Sequence, residues 1–395
     1  MLKTMKSLHP MILCSTLLLP ACSTTDLISV ASSRDPSTAL SNLAKNRGES
    51  YKHNPVRLVS DIRQLQRNYN QLQALLRGEV GREWGNREVV TPSNKRYVKY
   101  TQNYKSRAIV EFDRGLVMVE TLDQQQPDKS LKNAIVTTLL TPDDPRGVDL
   151  YTASTIKLSG RPYLYGLLLD HRGRGIDTPS LAEAYADHLL AQKRQQRQVD
   201  TATGSKTVHY VRLQMVNDYQ NRQARRYHGQ VEKYAKKYGV SKSLIYAIMK
   251  TESAFNPFAV SAAPAYGLMQ LVPTTAGRDA FRVVEGYDHT PSKEYLFIAD
   301  NNIELGTAYL SILDRRYLAG IHDPLSREYC IISAYNGGAG NVFNLFANDR
   351  TEAARRINRL SPAEVYRNLR DKHPRDETRR YLVKVLDARK DFVSI

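Results

Sequence analysis

Strand-like patterns in this 395-residue sequence stop near Asp218, and the residues beyond that point carry only helical patterns. Before it, segments 108–112 and 116–121 alternate in apolar character around a three-residue turn that contains Gly115, which predicts a β-hairpin. The length allows two or three domains. We therefore predict an α+β fold with a mixed N-terminal α+β domain (56–220), followed by a mostly helical domain (226–395).

Further elements are predicted on both sides of this change. In the first region the predicted strands are 163–170 and 207–215, and the predicted helices are 131–140 and 181–190. In the second region the predicted helix N-caps are Ser241, Asp300, Ser326 and Ser361, and a final helix is predicted over 376–392. Ser361 is followed by proline and, three residues on, by Glu364, which is the pattern of a capping box.

The first residues indicate export. Two lysines precede a short apolar run at 11–19. The Leu-Pro-Ala-Cys22 segment at its end resembles the lipobox of bacterial lipoproteins. This resemblance implies a signal peptide at 1–21, a lipid on Cys22 and a polar tether at 22–55. Ser23 after the cysteine implies an outer-membrane lipoprotein that faces the periplasm. An ordinary secretory signal with an incidental cysteine is the alternative.

Composition narrows the classes of partner. Lys and Arg number 57 against 40 Asp and Glu, a net charge of +17 that favours nucleic acid, anionic lipid or another anionic polymer. Export argues against nucleic acid. The sequence has neither nucleotide-binding glycine motifs nor metal-spaced His/Cys clusters, so no cofactor and no metal are predicted. Of the three cysteines, only Cys330 would remain as a free thiol, which predicts no intramolecular disulfide.

One acidic residue, Glu252, lies on the apolar face of a predicted helix. The helix predicted after Ser241 carries an apolar stripe made of Leu244, Ile245, Ile248 and Met249. Glu252 lies on the same stripe, four residues after Ile248, at the negative end of the helix dipole. Desolvation and the dipole both raise the pKa of such a carboxyl group. A carboxylic acid that stays protonated near neutral pH can protonate the leaving oxygen of a sugar bond.

The residues after Glu252 are typical of a cleft wall. Segment 253–278 contains no Asp or Glu. Within it, Gly267-Leu268-Met269-Gln270 supplies an amide and a thioether, and Ala334-Tyr335-Asn336-Gly337-Gly338 supplies a hydroxyl and an amide where a later helix ends. Hydroxyl, amide and aromatic groups are suited to binding a neutral N-acetyl sugar.

Together with Arg379-Arg380-Tyr381, these motifs resemble those of the lytic transglycosylases with a goose-lysozyme-like (SLT-type) catalytic domain. The region before them resembles the N-terminal domain of membrane-bound members. The resemblance implies that peptidoglycan glycan strands are the substrate and that Glu252 is the sole general acid and base. The expected reaction cleaves the β-1,4 bond between N-acetylmuramic acid and N-acetylglucosamine and closes a 1,6-anhydro ring.

The same resemblance implies the substrate-binding residues, which are Ser261, Met269, Gln270, Tyr335, Asn336 and Tyr381. The chain departs from the family pattern at Ala263, where relatives often place a second serine, so a substrate contact is expected to be missing there. Two alternatives stay open. A lysozyme-like hydrolase would need a second carboxylate, for which Asp279, Glu285 and Asp288 are the candidates, or a well-held water. An inactive peptidoglycan-binding scaffold lipoprotein would need no buried acid.

Overall fold

An antiparallel sheet of five strands organises the first half of the computed structural model, which describes residues 55–393 and their side chains from residue 66. The strands are β1 (Arg96–Thr101), β2 (Ser106–Glu111), β3 (Leu116–Thr121), β4 (Gln195–Thr201) and β5 (Gly204–Gln214), in the spatial order β1-β2-β3-β5-β4. The predicted hairpin is confirmed, with Val110 opposite Val117. The predicted strand 207–215 corresponds to β5, whereas β1 and β4 were not predicted.

Helices cover both faces of this sheet, because the side chains of each strand alternate between two cores. They are α1 (Pro55–Trp84), α2 (Pro127–Leu140) and α3 (Pro179–Lys193). Helices α2 and α3, both predicted, share a core with Tyr97, Val110 and Val119. Helix α1 packs on the opposite face, where its Trp84 joins Val98 and the neighbouring apolar side chains.

Segment 163–170 is not a strand, so that prediction is wrong. It forms turns with isolated bridges, such as Tyr165 to Leu168, and Gly166 has a left-handed φ of 73°. The Asp170 carboxylate accepts the backbone N–H groups of Arg172 and Arg174. The apolar residues that suggested a strand are buried through successive turns rather than on one pleated face.

The second half is helical, as predicted. Its helices are α4 (Tyr219–Arg226), α5 (His228–Tyr238), α6 (Lys242–Ser253), α7 (Arg278–Glu285), α8 (Lys293–Phe297), α9 (Ala299–Ile312), α10 (Pro324–Gly337), α11 (Ala339–Asn344), α12 (Arg350–Asn358), α13 (Pro362–Lys372) and α14 (Asp376–Lys390). Two π turns of this half span Pro273–Gly277 and Leu313–Tyr317, and two 3-10 turns of the first half span Asn86–Glu88 and Pro145–Gly147.

The predicted helix starts are partly right. The capping box of α13 is confirmed, since the Ser361 N–H donates to Glu364 Oε2 at 2.8 Å and the Glu364 N–H donates back to the Ser361 hydroxyl. Ser326 is not an N-cap, because Asp323 accepts its N–H at 2.7 Å and α10 begins at the proline after Asp323. Asp300 is not an N-cap either, since α9 already begins at Ala299.

The second half has its own apolar core, and its residues Ala254 and Phe258 also enter the core that α2 and α3 share with the sheet. Phe258, which follows α6, packs against Tyr97 at 4.9 Å and Tyr163 at 5.1 Å between ring centroids. The described residues 55–393 accordingly belong to one compact unit. Among the helices of residues 55–393, none combines the length and apolar composition needed to cross a membrane. The predicted signal peptide, Cys22 and the predicted tether up to residue 54 lie outside the described residues.

Candidate active site

Glu252 lies in the last turn of α6, where the helix is stopped abruptly. Residues Ala254 and Phe255 adopt left-handed φ angles of 49° and 61°, which end the helix at Ser253. The Ser253 hydroxyl donates to the carbonyl of Leu268 at 2.8 Å and so fastens the helix end to a neighbouring loop. The carboxyl group of Glu252 is therefore held by a rigid, buried helix terminus.

The surroundings of Glu252 favour its protonated form. The side chain keeps some exposed surface, yet the protein atoms packed around it desolvate the carboxyl group and raise its pKa to about 7. Tyr381 and Lys95 act against this rise by stabilising the charged form, whereas the negative charge of Glu377 adds to it. Glu252 makes no ion pair with any described residue, so its charge is not neutralised locally.

Two tyrosines of the predicted set stand next to Glu252. The Tyr335 hydroxyl of α10 donates to the carbonyl of Met269 at 2.8 Å, which fixes its ring. The Tyr381 hydroxyl of α14 is buried and has no hydrogen-bond partner of good geometry among the described residues, but it lies near enough to stabilise a charged Glu252. Tyr381 is therefore free to bond either to Glu252 or to a bound sugar.

The loop that carries Met269 and Gln270 forms another wall. Gln270 adopts a left-handed φ of 48°, and its amide nitrogen donates to the carbonyls of Ala259 and Gly267 at 3.1 and 2.9 Å. Its amide oxygen is buried without a partner among the described residues, so it can accept a hydrogen bond from a ligand. The Met269 side chain is completely buried and would collide with a Cβ on Gly306.

The structure shows how Met269 supports the site. Its side chain is completely buried and its carbonyl positions Tyr335, while its role in substrate binding stays a prediction. Its own N–H donates to Oδ1 of Asn302 at 2.8 Å. Sequence reasoning missed the buried Asn302, because an asparagine inside an apolar helix carries no local sign of the distant loop it supports.

Asn336 lies at the end of α10 and is oriented by α14. Its Oδ1 accepts the hydroxyl of Thr378 at 2.7 Å, and its Nδ2 lies 3.5 Å from Oε1 of Glu377. Thr378 and Glu377 were both missed, since they precede Tyr381 on a predicted helix with no marking pattern of their own. The structure thus brings Asn336 and Tyr381 to one place through α14.

Ser261 makes no hydrogen bond to Glu252 in the described structure. Its hydroxyl donates to the carbonyl of Ala263 and accepts the N–H of Ala265 at 3.3 Å, which closes a tight loop. Ser261 faces a cavity of about 640 Å³ between that loop, α1 and segment 91–94. The other lining residues with polar side chains are Tyr69, Asn70, Gln73, Arg77, Thr91, Ser93 and Asn94.

The second carboxylates that a hydrolase would need are engaged elsewhere. Asp279 accepts the Tyr317 hydroxyl at 2.8 Å, and Glu285 accepts the Tyr295 hydroxyl at 3.2 Å. Asp288 is paired with Arg278 at 2.5 Å. The carboxylate that acts on Glu252 is instead Glu377, which none of the sequence patterns indicated.

Comparisons with known proteins identify the family. Residues 58–226 match the family described as membrane-bound lytic murein transglycosylase C, N-terminal domain, and residues 229–358 match the transglycosylase SLT domain. The membrane-bound lytic murein transglycosylase C of Yersinia enterocolitica is 46% identical over 310 residues, which are 78% of this chain and 85% of that protein. Its counterpart from Salmonella typhi is 45% identical over the same shares.

Among solved structures, the chain is similar to the 70 kDa soluble lytic transglycosylase from Escherichia coli. The two are 26% identical over 42% of this chain and 24% of that chain, with a TM-score of 0.34.

Proposed function

The chain belongs to the family of membrane-bound lytic murein transglycosylase C, and on that premise we propose that Glu252 is the single general acid and base of its reaction. As a lytic transglycosylase, the protein cleaves peptidoglycan between N-acetylmuramic acid and N-acetylglucosamine and leaves 1,6-anhydromuramoyl ends. The observation that carries the proposal for Glu252 is its desolvated, unpaired carboxyl group, whose pKa of about 7 suits both donating and accepting a proton.

In the first step Glu252 acts as an acid. Below about pH 7 its carboxyl group holds a proton, which it transfers to the glycosidic oxygen as the bond from the muramoyl C1 to that oxygen breaks. The N-acetylglucosamine side then leaves as a neutral alcohol. Desolvation supports this step because it makes the protonated carboxyl group the stable resting form.

In the second step the resulting carboxylate acts as a base. It takes the proton of the muramoyl 6-hydroxyl while that oxygen forms a bond to C1, which closes the anhydro ring and restores the protonated acid. Tyr381 and Lys95 stabilise the charged form of Glu252, which is the carboxylate that the first step leaves behind. Attack by the substrate's own hydroxyl is favoured over water, because effective molarities of oriented internal groups reach about 10⁵ M or more.

The remaining predicted residues are proposed to hold the sugar. Tyr335 has a fixed ring and Tyr381 a buried hydroxyl without a partner in the described structure, while Gln270 offers an amide oxygen. Asn336 is oriented by Thr378 and presents its amide beside them. Ser261 borders the adjoining cavity, which we assign to the continuing glycan strand or its peptide. These groups match the hydroxyls and acetamido groups of the substrate.

The test is a mass analysis of muropeptides released from purified sacculi by the protein and by Glu252→Gln. The wild type should release anhydromuramoyl products, each lighter by one water than a lysozyme product, and the variant should release almost none. Near-normal turnover by the folded variant would overturn the role of Glu252. Products with mostly reducing muramic acid ends would show that water, not the 6-hydroxyl, attacks.

We further propose that the protein is anchored to the outer membrane by lipid on Cys22, with its folded part in the periplasm. The lipobox-like sequence before Cys22 supports this, as does the membrane-bound description of the relatives. The Cys22→Ser protein should be recovered in the soluble periplasmic fraction with its lytic activity intact, since two or more acyl chains are needed for stable attachment. Retention in washed membranes at high salt would contradict the anchor, because salt screens surface-charge attachment.

A further inference from the structure

A short segment of the N-terminal half binds the end of the helix that carries Glu252. The Asn94 side-chain amide donates to the main-chain carbonyl of Glu252 at 2.7 Å. In return, the completely buried Asn256 donates its side-chain amide to the carbonyl of Asn94 at 3.1 Å. These two hydrogen bonds join residues about 160 positions apart, and both lie within four residues of the proposed acid.

The next residue, Lys95, brings a cation to the same place. Its carbonyl accepts the N–H of Phe112 at 3.0 Å, which fixes its backbone to the central hairpin. Its side chain is half-buried and makes no hydrogen bond or ion pair with any described residue. The charges that it senses come from several elements: attraction from Asp113 and Glu252, and repulsion from Lys250 and Lys384.

We propose that Asn94 and Lys95 are positioning residues through which the N-terminal half controls the protonation of Glu252. Asn94 holds the last turn of α6 in place, and Lys95 sets the electrostatic potential at the carboxyl group. The inference rests on the proposed function of Glu252 as acid and base. It assigns to the N-terminal half a part in the chemistry, beyond any part in binding.

The groups around Glu252 show what the positive charge of Lys95 contributes. Burial alone favours the protonated acid, and Glu377 from α14 favours it further. Tyr335 from α10 and Tyr381 from α14 are uncharged near neutral pH, because burial raises the pKa of both hydroxyls well above their usual range. Lys95 is thus the cation that opposes the rise.

The catalytic consequence concerns the first step. A carboxyl group whose pKa lies far above the working pH keeps its proton but is a weak acid, so it gives that proton slowly to the glycosidic oxygen. A nearby ammonium group lowers that pKa, and it does so more effectively at a partly desolvated site. Lys95 would hold Glu252 near the pKa at which one group can serve both steps.

The experiment compares Lys95→Met with the matched control Lys384→Met on α14. Methionine keeps most of the aliphatic side chain, and each variant removes one lysine charge. The pH dependence of kcat/KM for sacculus digestion is measured from pH 5 to 9. On the alkaline limb of this profile, activity falls as Glu252 loses its proton. In Lys95→Met the alkaline limb should move to higher pH by about 0.5 unit or more. In Lys384→Met it should stay in place, and Lys95→Arg should restore the wild-type profile.

Glu377→Gln provides a shift of opposite sign, since loss of that negative charge should move the limb to lower pH. Asn94→Ala should lower kcat more than it raises KM, because it loosens the reacting carboxyl group. An unmoved limb in Lys95→Met, with only a raised KM or a lowered Tm, would overturn the inference and leave Lys95 as a substrate contact or a packing residue.

Failure of this inference can be told apart from failure of the proposed function. The Glu252→Gln exchange is made both in the wild type and in Lys95→Met. If both double and single variants lose activity while the limb of Lys95→Met is unmoved, Glu252 keeps its role and only the part of Lys95 is refuted. If Glu252→Gln stays active, the proposed acid itself is wrong.

Discussion

Glu120 in the first half and Glu252 in the second are both desolvated, but they differ in their partners. Glu120 in β3 has no exposed surface, and it accepts Arg107 Nε at 2.5 Å and Arg197 Nη2 at 3.1 Å. Arg107 in turn lies over the Trp84 ring at 3.9 Å. Glu252 at the end of α6 has no ion-pair partner among the described residues and faces tyrosine hydroxyls instead.

The difference shows what turns a buried carboxyl group into a reactive one. A buried charge is tolerated when cations and hydrogen bonds neutralise it, and Glu120 is held in that way as part of the framework. Where such partners are missing, the group keeps a proton near neutral pH, as Glu252 does. The same residue type therefore serves structure in one half and, on the proposed function, chemistry in the other, according to its partners.

The comparison predicts its largest effect for Glu252→Gln. An amide matches the shape of the acid and cannot transfer a proton, so kcat/KM should fall by about 10²- to 10⁴-fold while the folded structure is retained. Kinetics on soluble glycan strands, with circular dichroism as the control for folding, check this. If the variant loses its folded structure together with its activity, Glu252 has a structural role like that of Glu120.

Glu120→Gln should behave in the reverse manner. It leaves Arg107 buried with an incomplete set of partners, which costs about 3 kcal/mol of the free energy of unfolding. Urea unfolding measures that cost, and kcat/KM per folded molecule should match the wild type. Reduced activity in molecules that remain fully folded would show that the ion-pair network also supports the chemistry.

Tyr381→Phe should have an intermediate effect. Removing the hydroxyl takes away a group that stabilises the charged form of Glu252, so the first step, which forms that carboxylate, should slow by about 10-fold and the alkaline limb should move to higher pH. The pH profile of kcat/KM detects both. An unchanged profile would mean that Tyr381 contacts only the sugar.

The smallest expected effect is on stability as a function of pH. Because the pKa of Glu252 is raised in the folded state from 4.5 to about 7, the stability that its proton contributes is present below pH 4.5 and is lost as the pH rises through 7. The wild type should therefore lose stability relative to Glu252→Gln over this window, by no more than about 2 kcal/mol given the partial exposure. Thermal unfolding at pH 5, 6, 7 and 8 measures the difference, and parallel curves would contradict the raised pKa.

Local patterns were enough to predict the elements that depend on neighbouring residues. The hairpin of β2 and β3, the capping box at Ser361 and the apolar helix α6 with Glu252 on its stripe all follow from residues within one or two turns. Strand β4 was missed because its sequence is mostly polar and exposed, and segment 163–170 was misread because its apolar residues are buried in turns.

What the sequence by itself determined is the proposed acid and the side chains that share its motifs: Glu252, Gln270, Tyr335, Asn336 and Tyr381. Only the tertiary structure decided the groups that set its charge state and hold its neighbours, which are Lys95, Glu377, Thr378 and Asn302. The physical reason is that a pKa depends on every charge and dipole within a few ångströms, whatever their separation along the chain. Local periodicity places a carboxyl group on an apolar face, whereas the packing of two chain halves decides which cation it meets.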